Sequence, residues 1–320
     1  MYKDVQRDDC PCTRHECERH GNCKACVASH RERGYPPSCQ REEGQIYLND
    51  VNITEMGYMY GKWMGKDDTW TISLGNIYCY LLVGTEKALL IDTAYGAGDL
   101  RRFVEEITDK PVIVANTHGH FDHTGGNPWW SEAYMSKEAA KDAKKAFTEE
   151  MQKRLESMPY PDYKINIIDE NTIFDLGGRR VQVVPIPAHS PGSVAFIDSA
   201  SRYLFTGDEV ESGQVLMFLT DTCQVEAHKA NMEKLLALSD LYDAVCPAHN
   251  GTPISKKYIS DFIELDKQIL AGTQTDMPNT AGFGFPPKLG DVGPFGKPWP
   301  FSGDIKRAQY GGASICYKNS

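Results

Sequence analysis

From about residue 45 to residue 270, short apolar runs alternate with polar, Gly- and Asn-containing breaks, the rhythm of a sheet protein. Ile46–Val51, Trp70–Leu74, Ile77–Val83 and Ala88–Ile91 read as strands. Leu100, Phe103, Val104 and Ile107 then share one helical face and predict a helix over about 99–108. Pro111–Val114 reads as a buried strand, and Lys137–Met158 as a long charged helix with Ala140, Ala143, Phe147 and Met151 inward. Further along come a strand over Arg180–Ile186 and a hairpin of Val194–Ile197 with Tyr203–Phe205. A helix near Gln224–Ser239, a strand over Ala244–Cys246 and a helix over Ser255–Leu270 follow, the last with Ile259, Phe262, Ile263, Ile269 and Leu270 inward.

This order contains a repeat. Leu89–Asp92, a helix, and a strand leading to His118 match Tyr203–Asp208, a helix, and a strand leading to His249. Two such halves packed sheet on sheet, helices outside, predict an α/β fold: a four-layer αββα sandwich whose functional groups gather at one edge.

On either side the texture changes. Residues 1–44 hold almost no large apolar side chains and six of the ten cysteines: Cys10, Cys12, Cys17, Cys23, Cys26 and Cys39. Such a segment cannot fold on hydrophobic burial alone, and a metal would supply the missing stability. Cys23-x-x-Cys26 has zinc-knuckle spacing, and Cys17 and Cys39 complete a tetrahedral set. Cys10, Cys12, His15, His20 and His30 are rival ligands, and disulfides or an iron–sulfur cluster are the alternatives to one structural Zn(2+). Residues 271–320 read as a loop-like extension rich in Gly, Pro and aromatics (Phe283, Phe285, Phe295, Trp299, Phe301, Tyr310), either a lid over an active site or a tail packed against the sandwich.

The formal charge of −10 argues against a nucleic-acid partner and, more weakly, against an anionic membrane surface. No apolar run approaches the ~20 residues of a spanning helix, and Met1–Asp4 opens no apolar leader, so a cytoplasmic setting without membrane attachment is expected. A homodimer stays open.

The chemistry concentrates in Ala115–Asn127, where His118, His120, Asp122 and His123 fall within six positions. Three of the nine histidines lie there. A segment this short cannot wrap all four groups around one ion, so two ions are expected, with Gly119, Gly125 and Gly126 letting the backbone turn tightly. His189, Asp208 and His249 also close predicted strands, whereas His228, without a partner motif, reads as a solvated helix residue.

Thr117-His-Gly-His-Phe-Asp-His123, the lone His189, Thr206-Gly-Asp208 and Pro247-Ala-His249, with Asp92 upstream, resemble the ordered motifs of the metallo-β-lactamase superfamily over roughly residues 45–270. The resemblance implies that His118, His120 and His189 hold one Zn(2+), that Asp122, His123 and His249 hold a second, and that Asp208 bridges them, with iron or manganese as alternative metals. Asp92 would hydrogen-bond the His loop and orient its ligands. The implied activity is hydrolysis of a small-molecule carbonyl ester, thioester or lactone by a metal-bridging hydroxide, with Asp122 as the catalytic proton carrier. Aspartate rather than cysteine at 208 resembles the thioesterase, glyoxalase II and lactonase branches, and His120 stands where the flavodiiron branch has Glu. β-Lactam or amide hydrolysis, or a non-catalytic metal-bound binding or regulatory module, are the alternatives. Trp129, Met217 and Phe218 are the candidate substrate contacts.

Overall fold

The computed structural model describes residues 61–318 except 75–76, 97, 146–148, 220–223 and 278–304, and, before residue 61, only Arg19, Asn22, Ala25 and Cys26. The expected strand over Ile46–Val51 and the aromatic lid residues 283–301 lie outside the described residues, as do Cys17, Cys23 and Cys39. At Cys26 the backbone N–H donates to Asn22 O at 2.9 Å.

Seven strands build the first sheet in chain order: β1 (Gly61–Met64), β2 (Thr69–Leu74), β3 (Ile77–Val83), β4 (Ala88–Ile91), β5 (Val112–Ala115), β6 (Glu132–Met135) and β7 (Lys164–Ile167). β1 to β4 run antiparallel to their neighbours, and β4 to β7 parallel. The parallel β4–β5 pair needs a crossover, supplied by helix α1 (Leu100–Glu105), which Asp99 caps by accepting the Arg102 N–H at 2.9 Å.

The second sheet holds β8 (Ile173–Asp175), β9 (Arg180–Pro185), β10 (Val194–Asp198), β11 (Tyr203–Gly207), β13 (Ala244–Pro247) and β14 (Ile254–Ser255) in the order β14-β13-β11-β10-β9-β8. Helix α4 (Val225–Ala237), preceded by the short α2 (Phe121–Thr124) and α3 (Glu149–Glu156), joins the parallel pair β11 and β13. α5 (Lys257–Ala271) follows. The repeat read from the sequence is therefore present: β4–α1–β5 and β11–α4–β13 are the same unit, with its parallel strands ending at Asn116–His118 and at Ala248–His249.

Period-2 alternation sorts the core into layers. Tyr80, Leu82, Leu89 and Ile91 face Val181, Val183, Phe196 and Phe205 of the other sheet. The alternate residues Cys79, Leu81 and Leu90 pack outward beneath Leu100 and Val104 of α1. Val184, Ala195 and Leu204 pack outward against Met232 and Leu235 of α4 and against Ile259 and Phe262 of α5. Both faces of each central strand are covered, so these strands read as continuous apolar runs.

Three expectations are corrected here. The long helix over 137–158 is broken: a 3-10 turn (Ala139–Lys141), whose Ala139 N–H donates to Ser136 Oγ at 3.1 Å, stands apart from α3. Ala139 is held there because its backbone presses on Gly119 and Gly192, where an added Cβ would meet it at 2.3 and 2.2 Å. Leu270, expected inward, is 42 % exposed in the last turn of α5. The extension from residue 271 is not wholly loop-like. β15 (Asp276–Met277), β16 (Ile305–Tyr310) and β17 (Ala313–Lys318) form a third sheet with β12 (Val215–Met217) in the order β12-β17-β16-β15. The hairpin turns at Gly311, in the left-handed region at φ 55°, beside Asp261 of α5, whose carboxylate accepts the Gly312 N–H at 3.1 Å.

Candidate active site

The ends of β4, β5, β11 and β13 converge at one edge of the sandwich. Backbone bonds sew the two sheets together there: Val194 N–H donates to Thr117 O and Tyr78 N–H to Ala248 O, both at 2.8 Å. The glycines of the His loop do a different job from the one expected. Gly119, Gly125 and Gly126 have ordinary backbone angles. Each instead lets another chain segment approach, since a Cβ would lie 2.3 Å from Ala139 O, 2.4 Å from Tyr95 C and 2.4 Å from Thr93 O.

Seven side chains meet at this edge. His118 Nε2 and His189 Nε2 both point at His120 Nδ1, at 3.0 and 3.1 Å. Asp208 Oδ2 is 3.5 Å from His189 Nε2, and its Oδ1 is 3.4 Å from both His123 Nε2 and His249 Nε2. Asp122 Oδ2 lies 3.6 Å from the same two nitrogens of His123 and His249. Asp208 thus reaches both groups. His118, His120 and His189 form one set of atoms compact enough for a metal ion, and Asp122, His123 and His249 form another.

The partners behind the rings fix which nitrogen faces the centre. Asp92, held at φ 62° after β4, accepts the Thr117 N–H at 2.8 Å and the Thr117 hydroxyl at 2.7 Å. It also accepts His123 Nδ1–H at 3.0 Å, leaving Nε2 inward. With its proton given to Asp92, the Thr117 oxygen accepts His118 Nδ1–H at 3.1 Å. His189 Nδ1–H donates to Leu216 O at 2.9 Å. Asn116 and Asn127 brace the loop from below, Asn116 Nδ2 donating to His123 O at 2.8 Å and Asn127 Nδ2 to Asn116 Oδ1 at 2.8 Å.

Electrostatics divides the cluster. Burial, with His123 and His120 beside it, holds the His118 pKa well below the usual imidazole value. Burial likewise lowers His120, and it lowers His189 to about 4 against the pull of Asp208. At neutral pH these three rings present lone pairs. Burial also opposes charge on His123 and His249, but Asp208 and Asp122 outweigh it, raising His123 well above the usual value and His249 to about 9. Burial would raise the two acids, yet the same imidazoles win: His123 and His249 hold Asp122 down to about 2, and His249 and His123 hold Asp208 well below the carboxylate range. Each of these two carboxylates and two imidazoles favours the charged form of the other, and they face one another across this half of the site.

These residues fit divalent metal ions. His123 Nε2 and Asp208 Oδ1 are buried and find no hydrogen-bond partner among the described residues, although they face one another. Unpartnered buried polar atoms are costly, and a cation between them removes that cost. Nitrogen and carboxylate oxygen donors suit zinc and its neighbours.

Of the expected substrate contacts, Trp129 is half-buried and packs with the outer cluster of the first sheet, its Nε1–H donating to Gly98 O at 3.2 Å. Met217 and Phe218 are turned into packing, because β12 pairs with β17 and is covered. Met217 joins the outer core of the second sheet, and Phe218 packs on Ile305 and Cys316.

Sequence reading missed a second tier of buried acids. Glu209 is fully buried, and burial pushes its pKa up to about 7 against the pull of His228. Glu211 is buried too, its pKa raised by burial to about 8 against His249, with Asn250 Nδ2–H donating to its carboxylate. An acid one and three places after Asp208 is the only sequence signal for either. His228, expected in solvent, is fully buried in a salt bridge: Nδ1 lies 2.8 Å from Asp266 Oδ2.

The His228 pair sets a pH dependence. Burial opposes the charged ring, but Asp266 raises its pKa to about 9. A histidine raised above its unfolded value of about 6.5 stabilises fully below that value and loses the contribution as pH rises through the folded pKa. We expect the unfolding free energy of the wild-type protein, from urea titrations, to fall between pH 6.5 and 9 relative to that of His228→Asn, by an amount on the order of 3 kcal/mol. Parallel midpoints across that window would contradict the pair's charge.

Residues 72–249 match the family model of the metallo-beta-lactamase superfamily. The acyl-coenzyme A thioesterase MBLAC2 of Gallus gallus is 27 % identical over 197 residues, 53 % of this chain and 71 % of its own. The hydroxyacylglutathione hydrolase GloC of Haemophilus influenzae is 29 % identical over 147 residues, 43 % of this chain and 68 % of its own. The solved metallo-beta-lactamase from Pontibacter korlensis superposes with a TM-score of 0.51 at 20 % identity, over 65 % of this chain and 99 % of that one, a likeness of fold alone. Among the described residues no helix is long and apolar enough to cross a membrane.

Proposed function

The chain belongs to the metallo-β-lactamase superfamily and is a hydrolase of that fold, and from that premise we propose that it cleaves an acyl thioester or a related carbonyl ester of a small molecule with two divalent cations, zinc in the first instance. The observation that carries this reading is Asp208, whose two oxygens face His189 on one side and His123 and His249 on the other. His118, His120 and His189 would hold one ion, and Asp122, His123 and His249 the other, with Asp208 between. Bound there, the pair supplies Lewis acidity to a carbonyl oxygen and makes a water molecule ionise near neutral pH.

The chain's own residues supply orientation and proton handling. Asp92, Thr117 and Leu216 O lock the tautomers of His118, His123 and His189, so no ring reorganises as charge develops. Asp122 is the most exposed of the carboxylates that meet here, so its carboxylate can take a proton and hand it to a leaving group. A thiolate leaves readily, and the thioesterase and hydroxyacylglutathione hydrolase relatives favour a thioester over a β-lactam. The Cys23-x-x-Cys26 spacing supports one further, structural zinc held by Cys17, Cys23, Cys26 and Cys39.

The test is a panel of acyl-coenzyme A, S-acylglutathione, aryl ester, lactone and cephalosporin substrates. We expect thioester turnover that disappears on chelation, returns with zinc, and exceeds cephalosporin turnover at least tenfold in kcat/KM, about 1.4 kcal/mol. Zinc-loaded protein silent on every class would favour a binding module. Cephalosporin cleavage alone would move the chain to the lactam branch.

A further inference from the structure

We propose that Glu209 is a positioning residue whose buried carboxyl clamps the backbone at His189 and thereby sets where that imidazole meets Asp208. The inference rests on the assignment of His189 as a cation ligand. Glu209 Oε1 accepts two consecutive amide N–H groups, from Ala188 at 3.1 Å and from His189 at 2.8 Å, so one oxygen fixes the peptide planes on both sides of Ala188. The ring beyond is tied at Nδ1 to Leu216 O. His189 is thus fixed at both ends.

Glu209 is itself held from behind. Its carbonyl accepts His228 Nε2–H at 2.9 Å, and His228 Nδ1–H is bonded to Asp266 of α5 at 2.8 Å. Three residues along α4, Asn231 Nδ2–H donates to Pro187 O at 3.0 Å. One face of α4 therefore grips both the loop that carries His189 and the turn that carries Asp208. An apolar residue at 209 would fill the same space but strand the Ala188 and His189 amides without an acceptor, and burying an acid has a cost that only such bonds offset. Of the three ligands contributed singly by the second sheet, His189 and Asp208 are set 3.5 Å apart by this bracket rather than by the His loop.

The experiment compares wild type, Glu209→Ala, Glu209→Gln and Asn231→Ala as full chains. Zinc affinity is measured by chelator competition, the Co(2+) absorption spectrum is recorded, and amide hydrogen exchange at 188–189 is followed in metal-free protein. Glu209→Ala should weaken zinc roughly 10–100-fold, shift the cobalt bands and speed exchange of both amides. Glu209→Gln keeps an acceptor oxygen and should restore most of all three. Glu209→Ala with wild-type affinity, spectrum and exchange but a lower melting temperature would reduce the residue to packing, and a Gln variant as impaired as Ala would overturn the acceptor role. If Glu209→Ala does not fold, Asn231→Ala decides: faster exchange at 188–189 supports the bracket, and unchanged exchange overturns it. A wild type that takes up no zinc at this edge refutes the proposed function, while exchange in the metal-free variants still decides the clamp.

Discussion

Asp208→Ala is expected to lower kcat/KM by about 10³-fold or more, roughly 4 kcal/mol of transition-state stabilisation, while leaving the protein folded. Asp208 reaches both groups, Oδ1 lying 3.4 Å from His123 and His249 and Oδ2 3.5 Å from His189. Its loss removes a donor from each cation position at once. It also removes the negative charge that faces His123 and His249. Asp208→Asn separates the two effects, because it keeps an oxygen and loses the charge. Elemental analysis should show bound metal falling with activity in both variants, more steeply in the alanine. Activity within tenfold of wild type for Asp208→Ala would mean that the two groups act independently.

Arg179→Ala is the second large effect, and it strikes stability. The guanidinium is 3 % exposed and grips Asp198 with Nε at 2.9 Å and Nη2 at 2.7 Å. Nη1 donates to Asp67 O at 2.8 Å and to Val83 O at 3.1 Å, and Nη2 to Thr69 Oγ1 at 2.5 Å. Arg179, in the β8–β9 turn, and Asp198 of β10 lie on the second sheet's side, and the other acceptors lie on the first sheet's strands or the β1–β2 turn, so one side chain ties the sheets at the edge opposite the active site. Removing it strands a buried carboxylate and several acceptors, a loss of roughly 3–5 kcal/mol. Urea midpoints should show it with the slope unchanged, and activity per folded molecule should persist. Burial would raise the Asp198 pKa, but Arg179 holds it below the usual value, so the pair's stabilisation is present above the ordinary carboxylate range and lost as pH falls through the folded pKa. The double variant Arg179→Ala/Asp198→Ala should recover part of the loss. A single variant within about 0.5 kcal/mol of wild type would show that the tie is dispensable.

What the sequence reveals here depends on how local the physics is. His118 to His123 are legible because four donor groups stand within six positions, and Asp92, Asp208 and His249 because each ends an apolar run of a repeated unit. The strands are legible where burial on both faces makes them uniformly apolar. Glu209 and His228 are not. A glutamate beside an aspartate reads as solvated, and the partners that bury it, the amides of Ala188 and His189, lie about twenty residues earlier. His228 meets Asp266 at a separation of 38 residues. The C-terminal hairpin carried a signal, two alternating runs around Gly311-Gly312, but the Gly- and Pro-rich composition before it dominates the reading. The missing half of the long helix has a tertiary cause, Ala139 lodged between Gly119 and Gly192.

Anomalous diffraction from crystals of zinc-loaded protein, recorded on both sides of the zinc absorption edge, tests the central claim most directly. Two peaks about 3.5–4 Å apart are expected at the sandwich edge, one among His118, His120 and His189, the other among Asp122, His123 and His249, with Asp208 between them. No peak there, or a single one that leaves His123 and His249 paired only with their carboxylates, would contradict it.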